Sequence, residues 1–160
     1  MLLSLREAVP ADCAAITSWF RTEEEVWDWT GRAPWPLTSA WLEAELRGAR
    51  EGYFVLTAGE RLVGVFGLRL HHDRAHLVRV ALDPAYRGCG YSALLLEAAC
   101  FSAAARDQAF MTLKVYAENA PAVRAYERAQ FAYIREERDP ARGGALVWWM
   151  GRGLEDFALA

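Results

Sequence analysis

Hydrophobic residues in the first fifty positions follow strand spacing and then helical spacing. Alternation in LLSLREA, residues 2–8, predicts a strand. VPADCAAITSWF, residues 9–20, predicts a helix because its apolar residues fall on one stripe. AWLEAELRGA, residues 40–49, predicts a second helix with Thr38 or the next serine as its N-cap. Two prolines and a glycine in residues 21–37 predict a loop or a broken helix between these two helices.

The rest of the chain alternates between strand and helix patterns. Strand patterns occupy residues 52–58, 61–70, 75–83, 109–116, 131–137 and 145–151. One helix is predicted from about Tyr91 to Arg106, and another over 119–130 with Pro121 in its first turn. The resulting order is β-α-α-β-β-β-α-β-α-β-β, with no repeat or linker. It predicts one α/β domain over residues 1–160, built on a mixed sheet.

Composition indicates a globular chain and argues against two classes of partner. The net charge of −3 argues against a general nucleic-acid binder. The most apolar run, residues 92–106, is interrupted by Glu97, so no membrane contact is expected. No basic segment followed by an apolar one opens the chain, which favours a cytoplasmic protein. Cys13, Cys89 and Cys100 lack the spacing of metal ligands, so we expect reduced thiols and no metal.

The stretch YRGCGYS, residues 86–92, joins a strand to a helix and is suited to hold an anion. The first N–H groups of a helix lack intrahelical partners, and the helix dipole makes that end positive. Gly88 and Gly90 carry no Cβ that would block approach to those groups, and Arg87 adds a positive charge. Neither the nucleotide P-loop nor the dinucleotide fingerprint matches, because residue 93 is alanine and no Gly-Lys pair is present. A tight turn without a ligand is the alternative.

Two segments carry a family resemblance. VRVALDPAYRGCGYSALLLEAA resembles the acetyl-CoA-binding segment of the GNAT superfamily of N-acetyltransferases, whose motif is Arg/Gln-x-x-Gly-x-Gly/Ala. Arg87, Gly90 and Ser92 hold the motif positions, with serine in place of the last Gly or Ala. VYAENAPAVRAYERAQF is similar to a later family segment. The matching residues are Asn119, Ala122, Tyr126, Glu127 and Phe131, whereas Gln130 stands at a position where the family usually has glycine.

The resemblance implies a fold and a co-substrate site. The implied fold is a mixed, largely antiparallel sheet, flanked by helices, in which two central parallel strands splay apart and acetyl-CoA binds. By resemblance, the strand residues Val80, Ala81 and Leu82 bind the pantetheine chain through their backbone. The loop implied to hold the pyrophosphate comprises Arg87, Gly88, Cys89, Gly90, Tyr91 and Ser92, and Asn119 joins the co-substrate contacts.

The resemblance also implies direct attack of an amine on the thioester, without an acyl-enzyme. Tyr126 matches the tyrosine that protonates the departing CoA thiolate; the alternative is a core aromatic on the helix stripe. A branch of the family places a catalytic Glu eleven residues before the glycine motif, where this chain has His76. An imidazole is a credible base because its ordinary pKa is about 6.5. The alternative is a solvated histidine at the end of a strand.

The residues between the first strand and the second predicted helix are candidates for binding the acceptor. Acidic residues here could attract a cationic amine, and tryptophans could provide cation–π contacts. The candidates are Glu24, Glu25, Trp27 and Trp29, with Glu23, Asp28 and Trp35 beside them. A solvated charge run beside core tryptophans is the alternative.

These features together predict an acetyltransferase that acts on a primary amine of a small molecule. A protein N-terminal or lysine acetyltransferase and a catalytically idle acyl-CoA-binding protein stay open. The expected partners are a small-molecule or peptide amine and, as an option that the sequence leaves open, a second copy of the chain in a homodimer.

Overall fold

Twelve helices and strands are formed in the computed structural model, which describes residues 2–32, 35–50 and 52–157. The strands are β1 (Leu3–Glu7), β2 (Gly52–Ala58), β3 (Arg61–Leu70), β4 (Ala75–Leu82), β5 (Phe110–Tyr116), β6 (Ala132–Asp139) and β7 (Ala145–Gly153). The helices are α1 (Cys13–Thr17), α2 (Glu23–Thr30), α3 (Ser39–Gly48), α4 (Tyr91–Ala104) and α5 (Ala120–Arg128). The predicted loop at 21–37 includes residues 33 and 34, and the predicted domain includes 1, 51 and 158–160, all of which lie outside the described residues.

The seven strands are hydrogen-bonded in the order β1-β2-β3-β4-β5-β7-β6. β4 and β5 are parallel, with Ala75, His76 and Leu77 opposite Met111, Thr112 and Leu113. β2 pairs antiparallel with β1, and β7 pairs antiparallel with both β5 and β6. The mixed sheet with one central parallel pair and flanking helices confirms the predicted fold class.

Two compact units can be distinguished by their internal packing. The first comprises Met1–Gly67 with Arg79–Leu95, and the second comprises Leu68–Val78 with Leu96–Ala160. In the first unit, Ile16 and Trp19 are buried with Leu42, as the helical stripes predict, whereas Ala15 is exposed. The core of the second unit contains Met111, Leu113, Met150, Phe131 and the inner face of α4.

A helix occupies part of the segment for which a loop or broken helix was predicted. The Thr22 Oγ1 accepts a hydrogen bond from the Glu25 N–H at 3.1 Å and so caps α2. The Glu25 carboxylate accepts one from the Arg21 N–H at 3.3 Å. Gly31, at φ +82°, ends the helix by donating to the Trp27 carbonyl at 2.8 Å. The prolines come after this glycine, so they leave α2 intact.

An ion pair between the exposed Arg6 and the buried Asp12 ties β1 to the turn before α1. Both Asp12 carboxylate oxygens accept hydrogen bonds of 2.8 Å from the Arg6 guanidinium, and one also accepts from the Val9 N–H at 2.8 Å. Asp12 is buried, and the Arg6 hydrogen bonds hold the pKa of its carboxyl below the ordinary value. The pair therefore contributes stability at neutral pH that is lost as the carboxylate is protonated in acid.

We expect Asp12→Asn to lower the free energy of unfolding by about 2 kcal/mol at pH 7, because it removes a charged acceptor of three hydrogen bonds from a buried site. Asp73→Asn is the matched control. Asp73 pairs with Arg74 at 3.1 Å but its side chain is 71% exposed, so its replacement should change stability by less than about 0.5 kcal/mol. Urea denaturation at pH 7 measures both. Equal effects would contradict the structural role of Asp12, as would a difference between wild type and Asp12→Asn that fails to shrink in acid.

Candidate active site

The loop singled out by its glycines leads from β4 to α4 through a short 3-10 turn, Pro84–Tyr86. The Asp83 N–H donates to the Val63 carbonyl on β3 at 2.9 Å, and the Asp83 carboxylate accepts from the Ala85 N–H at 2.9 Å. These bonds fix the start of the loop on the sheet. The following residues, Arg87–Gly90, are exposed.

Both loop glycines adopt left-handed backbone conformations. Gly88 has φ +76° and Gly90 has φ +83°, and a Cβ built on either would meet no other atom within 4 Å. Glycine is thus required here for conformation, while the space beside the backbone is open. The first N–H groups of a helix have no intrahelical partner, so the start of α4, Arg87 and this open backbone together fit a diphosphate.

The end of β4 continues beyond its pairing with β5. The parallel register ends at Leu77, whereas the strand runs to Leu82. Val80, Ala81 and Leu82, the residues implied to bind pantetheine, lie in this last part. Arg79 precedes them at φ +51°, an uncommon conformation for a non-glycine residue.

Contacts to α3 and β3 support this part of β4. The Arg79 guanidinium forms an ion pair with Glu45 at 2.7 Å and lies 5.3 Å from the centre of the Trp41 ring. On β3, a Cβ at Gly64 would lie 3.0 Å from the Ala81 carbonyl oxygen, so only glycine allows this approach. Sequence reasoning did not identify Arg79 or Gly64 as part of the site. An isolated glycine inside a strand pattern was the signal that could have indicated Gly64.

His76, the candidate base, is buried in the second unit with 7% of its surface exposed. Its Nδ1 lies 2.8 Å from the Thr112 Oγ1, and its ring centre lies 5.3 Å from that of Trp149. Burial, and then the positive charges of Arg69 and Lys114 with weaker contributions from His71 and Arg74, lower the His76 pKa to about 4. The imidazole is therefore neutral at physiological pH.

Thr112 holds the His76 ring through Nδ1. Its Oγ1 accepts a hydrogen bond from the Arg74 Nε at 3.3 Å and lies 2.8 Å from the His76 Nδ1. Because a hydroxyl oxygen accepts up to two hydrogen bonds, the neutral ring can donate to it from Nδ1 and keep the lone pair of Nε2 for a ligand. Sequence reasoning did not find Thr112, because a strand threonine carries no motif of its own.

Tyr126 lies on α5, partly buried, with its ring centre 6.0 Å from that of Phe131. Burial raises its pKa to about 12, so the phenol is protonated at neutral pH. Among the described residues, none forms a hydrogen bond with its hydroxyl. The phenolic proton is therefore available to a ligand. Asn119 caps the same helix, accepting from the Ala122 N–H at 3.4 Å.

The turn after α5 departs from the family pattern. Gln130, where glycine is usual, adopts φ +73°. Arg152 stabilises the turn, because its Nη1 donates to the Ala129 carbonyl at 2.8 Å while its Nη2 pairs with Asp156 at 2.8 Å. The Phe131 N–H donates to the Tyr126 carbonyl at 3.0 Å and closes the turn. Hydrogen bonds to the residues on both sides of Gln130 therefore hold it in its strained conformation.

The candidate acceptor residues all lie on α2. Glu24 is exposed in its first turn, and Glu25 is engaged in the cap described above. Acidic side chains at this end of a helix interact favourably with the helix dipole, so helix stability alone explains the acidic residues in the first turn of α2. Trp29 packs on Phe20 with ring centres 4.5 Å apart, next to the core of the first unit, and Trp27 is partly buried. Their role in acceptor binding stays a prediction.

The structure therefore brings together the loop and the end of β4 in the first unit, and His76 with Thr112 in the second.

Cys89 is exposed in the loop, while Cys13 and Cys100 are buried. Within the described ranges, no three His, Cys, Asp or Glu side chains are grouped so as to hold a metal ion. None of the described helices has the length and apolar character needed to cross a membrane.

A protein-family model, the acetyltransferase (GNAT) family, matches residues 14–131. No curated protein sequence matches the chain significantly.

Solved structures share the fold at low sequence identity. The ribosomal-protein-S18-alanine N-acetyltransferase from Escherichia coli is 22% identical, with a TM-score of 0.71, over 99% of this chain and 96% of that one. Spermidine N-acetyltransferase from Vibrio cholerae, in complex with CoA and spermine, is 20% identical, with a TM-score of 0.77, over 97% of both chains. A putative acetyltransferase from Salmonella typhimurium with its cofactor acetyl-CoA is 21% identical, with a TM-score of 0.65, over 98% and 96%.

The environment of His76 predicts a pH dependence of stability. Its pKa is near 6.5 in the unfolded chain and about 4 when folded, so the unfolded state binds more protons between these values. Stability should therefore fall as the pH drops through this window, by about 2 kcal/mol between pH 7.5 and 5.

His76→Asn is the variant that tests this dependence, because asparagine does not titrate and its amide can hydrogen-bond to the Thr112 hydroxyl. The wild type should lose stability on acidification to pH 5 and the variant should lose much less, as measured by urea denaturation at both pH values. Replacing the exposed His72 by Asn serves as the control and should leave the wild-type dependence unchanged. Parallel losses in wild type and His76→Asn would contradict the burial of a neutral imidazole.

Proposed function

Because the chain belongs to the GNAT family of acetyltransferases, with acetyl-CoA as its co-substrate, we propose that it acetylates a primary amine of a small molecule by direct attack of the amine on the thioester. The observation that carries the proposal is the loop at Arg87–Ser92, with two left-handed glycines and open space at the start of α4. A second basis is the fold shared with the spermidine N-acetyltransferase, at a TM-score of 0.77.

The residues that would hold acetyl-CoA divide between backbone and side chains. The backbone from Gly88 to Ser92 and the Arg87 guanidinium would bind the pyrophosphate. The backbone of Val80–Leu82 would hydrogen-bond the pantetheine amides, since β4 extends beyond its register with β5. Asn119 offers its amide from the start of α5. When bound, acetyl-CoA supplies the activated acetyl group as a thioester.

The attacking amine must be neutral, whereas a typical alkylamine has a pKa near 10.4. The nitrogen becomes strongly acidic as the new C–N bond forms, so a weak base suffices to remove its proton at that stage. We propose that His76, neutral with a pKa of about 4, accepts this proton at Nε2 and passes it to solvent. Its Nδ1–H would donate to the Thr112 Oγ1, which holds the ring in place.

The departing sulfur must be protonated as the C–S bond breaks. The proposed donor is Tyr126, whose raised pKa keeps the phenol protonated and whose hydroxyl is not used by the described residues. The sulfur takes the phenolic proton, and solvent returns one to the phenolate. The step forms one C–N bond, breaks one C–S bond and needs no covalent enzyme intermediate.

The ribosomal-protein neighbour supports the alternative of a protein substrate, at a TM-score of 0.71. Release of the CoA thiol with a panel of small amines and of peptides with free N-termini or lysines separates the two. Turnover of small amines with kcat/KM above that of every peptide is the expected result. Thiol release with peptides only would favour the protein substrate, and no release with either would favour an idle binding protein.

Gly90→Ala should weaken acetyl-CoA binding at least tenfold, because a methyl group would enter the open space that the pyrophosphate is proposed to fill. The backbone strain of this change needs a matched control. Gly143 has φ +65° and equally open space in the turn between β6 and β7, so Gly143→Ala carries similar strain away from the loop. Calorimetric titration of both variants with acetyl-CoA gives the comparison. Equal affinities for Gly90→Ala and Gly143→Ala would remove the loop from the co-substrate site.

Tyr126→Phe should lower kcat by roughly 10- to 100-fold while leaving the KM for acetyl-CoA nearly unchanged, because only a proton donor used in the transition state is lost. The ring remains, so packing on Phe131 and thermal stability should persist. Tyr133→Phe, which removes an exposed phenol on β6, is the control and should keep wild-type kcat. Full kcat in Tyr126→Phe would make Tyr126 a packing residue and leave protonation of the thiolate to water.

A further inference from the structure

One face of the sheet in the second unit carries a set of polar side chains at paired positions. His76 is opposite Thr112 on β4 and β5, and Trp149 on β7 is opposite Lys114 on β5 and Arg135 on β6. Cross-strand partners project to one face, and alternate residues along a strand do so too. These five residues therefore share one face of the sheet.

The centre of this face is a compact cluster on an indole ring. The Lys114 Nζ lies 4.7 Å and the Arg135 Cζ 4.4 Å from the centre of the Trp149 ring. The Glu137 carboxylate lies 3.0 Å from Lys114 and 3.6 Å from Arg135, so the two cations share one carboxylate. This group of Lys114, Arg135, Glu137 and Trp149, called here the basic cluster, carries one positive charge in excess.

The two cations of the basic cluster are open to solvent. The side chains of Lys114 and Arg135 are 45% and 56% exposed. Residues between them on the same strands, such as Met111, Leu113 and Met150, point to the opposite face and are buried. Since the whole chain has a net charge of −3, an excess of positive charge on one exposed face is a local feature of this sheet.

The basic cluster adjoins His76 on one side and an apolar border on the other. The His76 ring lies against the same indole, and the charged groups that act on it most strongly, Arg69 and Lys114, are cationic. On the other side, Phe110 and Ile134 are exposed large apolar residues, and both reach over Gly151, where a Cβ would lie 2.7 Å from each side chain. Such a surface suits a molecule with an anionic group and an apolar body.

We propose that the acceptor carries an anionic group, a carboxylate or a phosphate, which binds to Lys114 and Arg135 and places the amine beside His76. This inference rests on the proposed acetylation of an amine. It defines the acceptor as a zwitterionic or acidic amine instead of a polycation, and it assigns Lys114 and Arg135 as determinants of specificity.

The charges of the cluster explain how such a group would be held. Glu137 neutralises only one of the two cations, so an incoming anion completes the pairing of the other without displacing it. The Arg135 guanidinium can bind a carboxylate or a phosphate through two parallel N–H bonds, while Lys114 acts as a point charge. Stacking on Trp149 limits the freedom of both cations before the ligand arrives, which reduces the entropy lost on binding.

The sequence alone suggested the opposite charge preference, from the acidic residues of α2. Those residues have a structural reason in the first turn of a helix, and one of them, Glu25, is engaged at the cap. The basic cluster also stabilises the sheet through its cation–π contacts and its pairing with Glu137, but these contacts leave one of its two positive charges uncompensated. The two hypotheses predict opposite orders of substrate preference, so one amine panel decides between them.

The experiment compares amines that differ only in the anionic group. 4-Aminobutyrate is paired with n-butylamine to test a carboxylate, and phosphoethanolamine with ethanolamine to test a phosphate; spermidine represents a polycation. Thiol release at saturating acetyl-CoA gives kcat/KM for each amine. We expect at least one anionic amine to exceed its partner and spermidine by tenfold or more, with the advantage shrinking as salt is added.

Variants of the cluster assign the effect to these residues. Lys114→Gln and Arg135→Gln should each raise the KM for the preferred anionic amine about tenfold. They should leave unchanged the KM for the partner amine that lacks the anionic group and the KM for acetyl-CoA. Arg135→Lys should recover part of the loss. Arg128→Gln, an exposed cation at the end of α5, is the matched control and should behave as wild type. An unchanged melting temperature shows that the variants are folded.

Failure of this inference can be told apart from failure of the proposed acetylation. Turnover that favours spermidine or the amines without an anionic group, or an anionic preference that survives both glutamine variants, overturns the inference and leaves the acetylation standing. No thiol release with any amine overturns both.

Discussion

The parallel register between β4 and β5 spans only three residues, Ala75 to Leu77, and the proposed chemistry follows from where it ends. Up to Leu77, β4 is a paired central strand and buries His76. Beyond it, the strand continues to Leu82 under other constraints, with Arg79 at φ +51° and a glycine on β3 that permits close approach of the Ala81 carbonyl. The paired part of β4 fixes the protonation state of His76, and the part beyond Leu77 leaves backbone groups available to the co-substrate.

Burial and a local group of cations together set the protonation states of side chains in the second unit. Burial keeps His76 neutral, and the cations around it strengthen that effect. Burial also keeps Tyr126 protonated. A weak base and a persistent acid are compatible with direct aminolysis of a thioester, because the nitrogen loses its proton only once the C–N bond is forming and the sulfur gains one as it leaves. The same cations favour an anion on the open face.

The departures from the family pattern have physical compensations. Gln130 takes a left-handed conformation that glycine adopts more easily, and the hydrogen bond from Arg152 to the Ala129 carbonyl holds the turn beside it. Ser92 replaces a smaller residue at a partly buried position in the first turn of α4 and is tolerated there. The acidic run at 23–25 starts a helix with Thr22 as its cap, in a segment for which the prolines downstream predicted a loop or a broken helix. Capping residues and a closing glycine were visible in the sequence, and they decided the local structure.

Periodicity and short motifs in the sequence determined the order of strands and helices except for α2, the family and the position of the glycine loop. These depend on local spacing: alternation for strands, a helical stripe for Ile16 and Trp19, and glycines where the backbone must turn left-handed. The tertiary structure alone decided the rest. That His76 is neutral depends on its burial and on the charge of Lys114 on the neighbouring strand, and that Lys114 and Arg135 share one indole depends on the pairing of three strands. Desolvation and cross-strand contact join residues distant in the chain, and no local pattern records them.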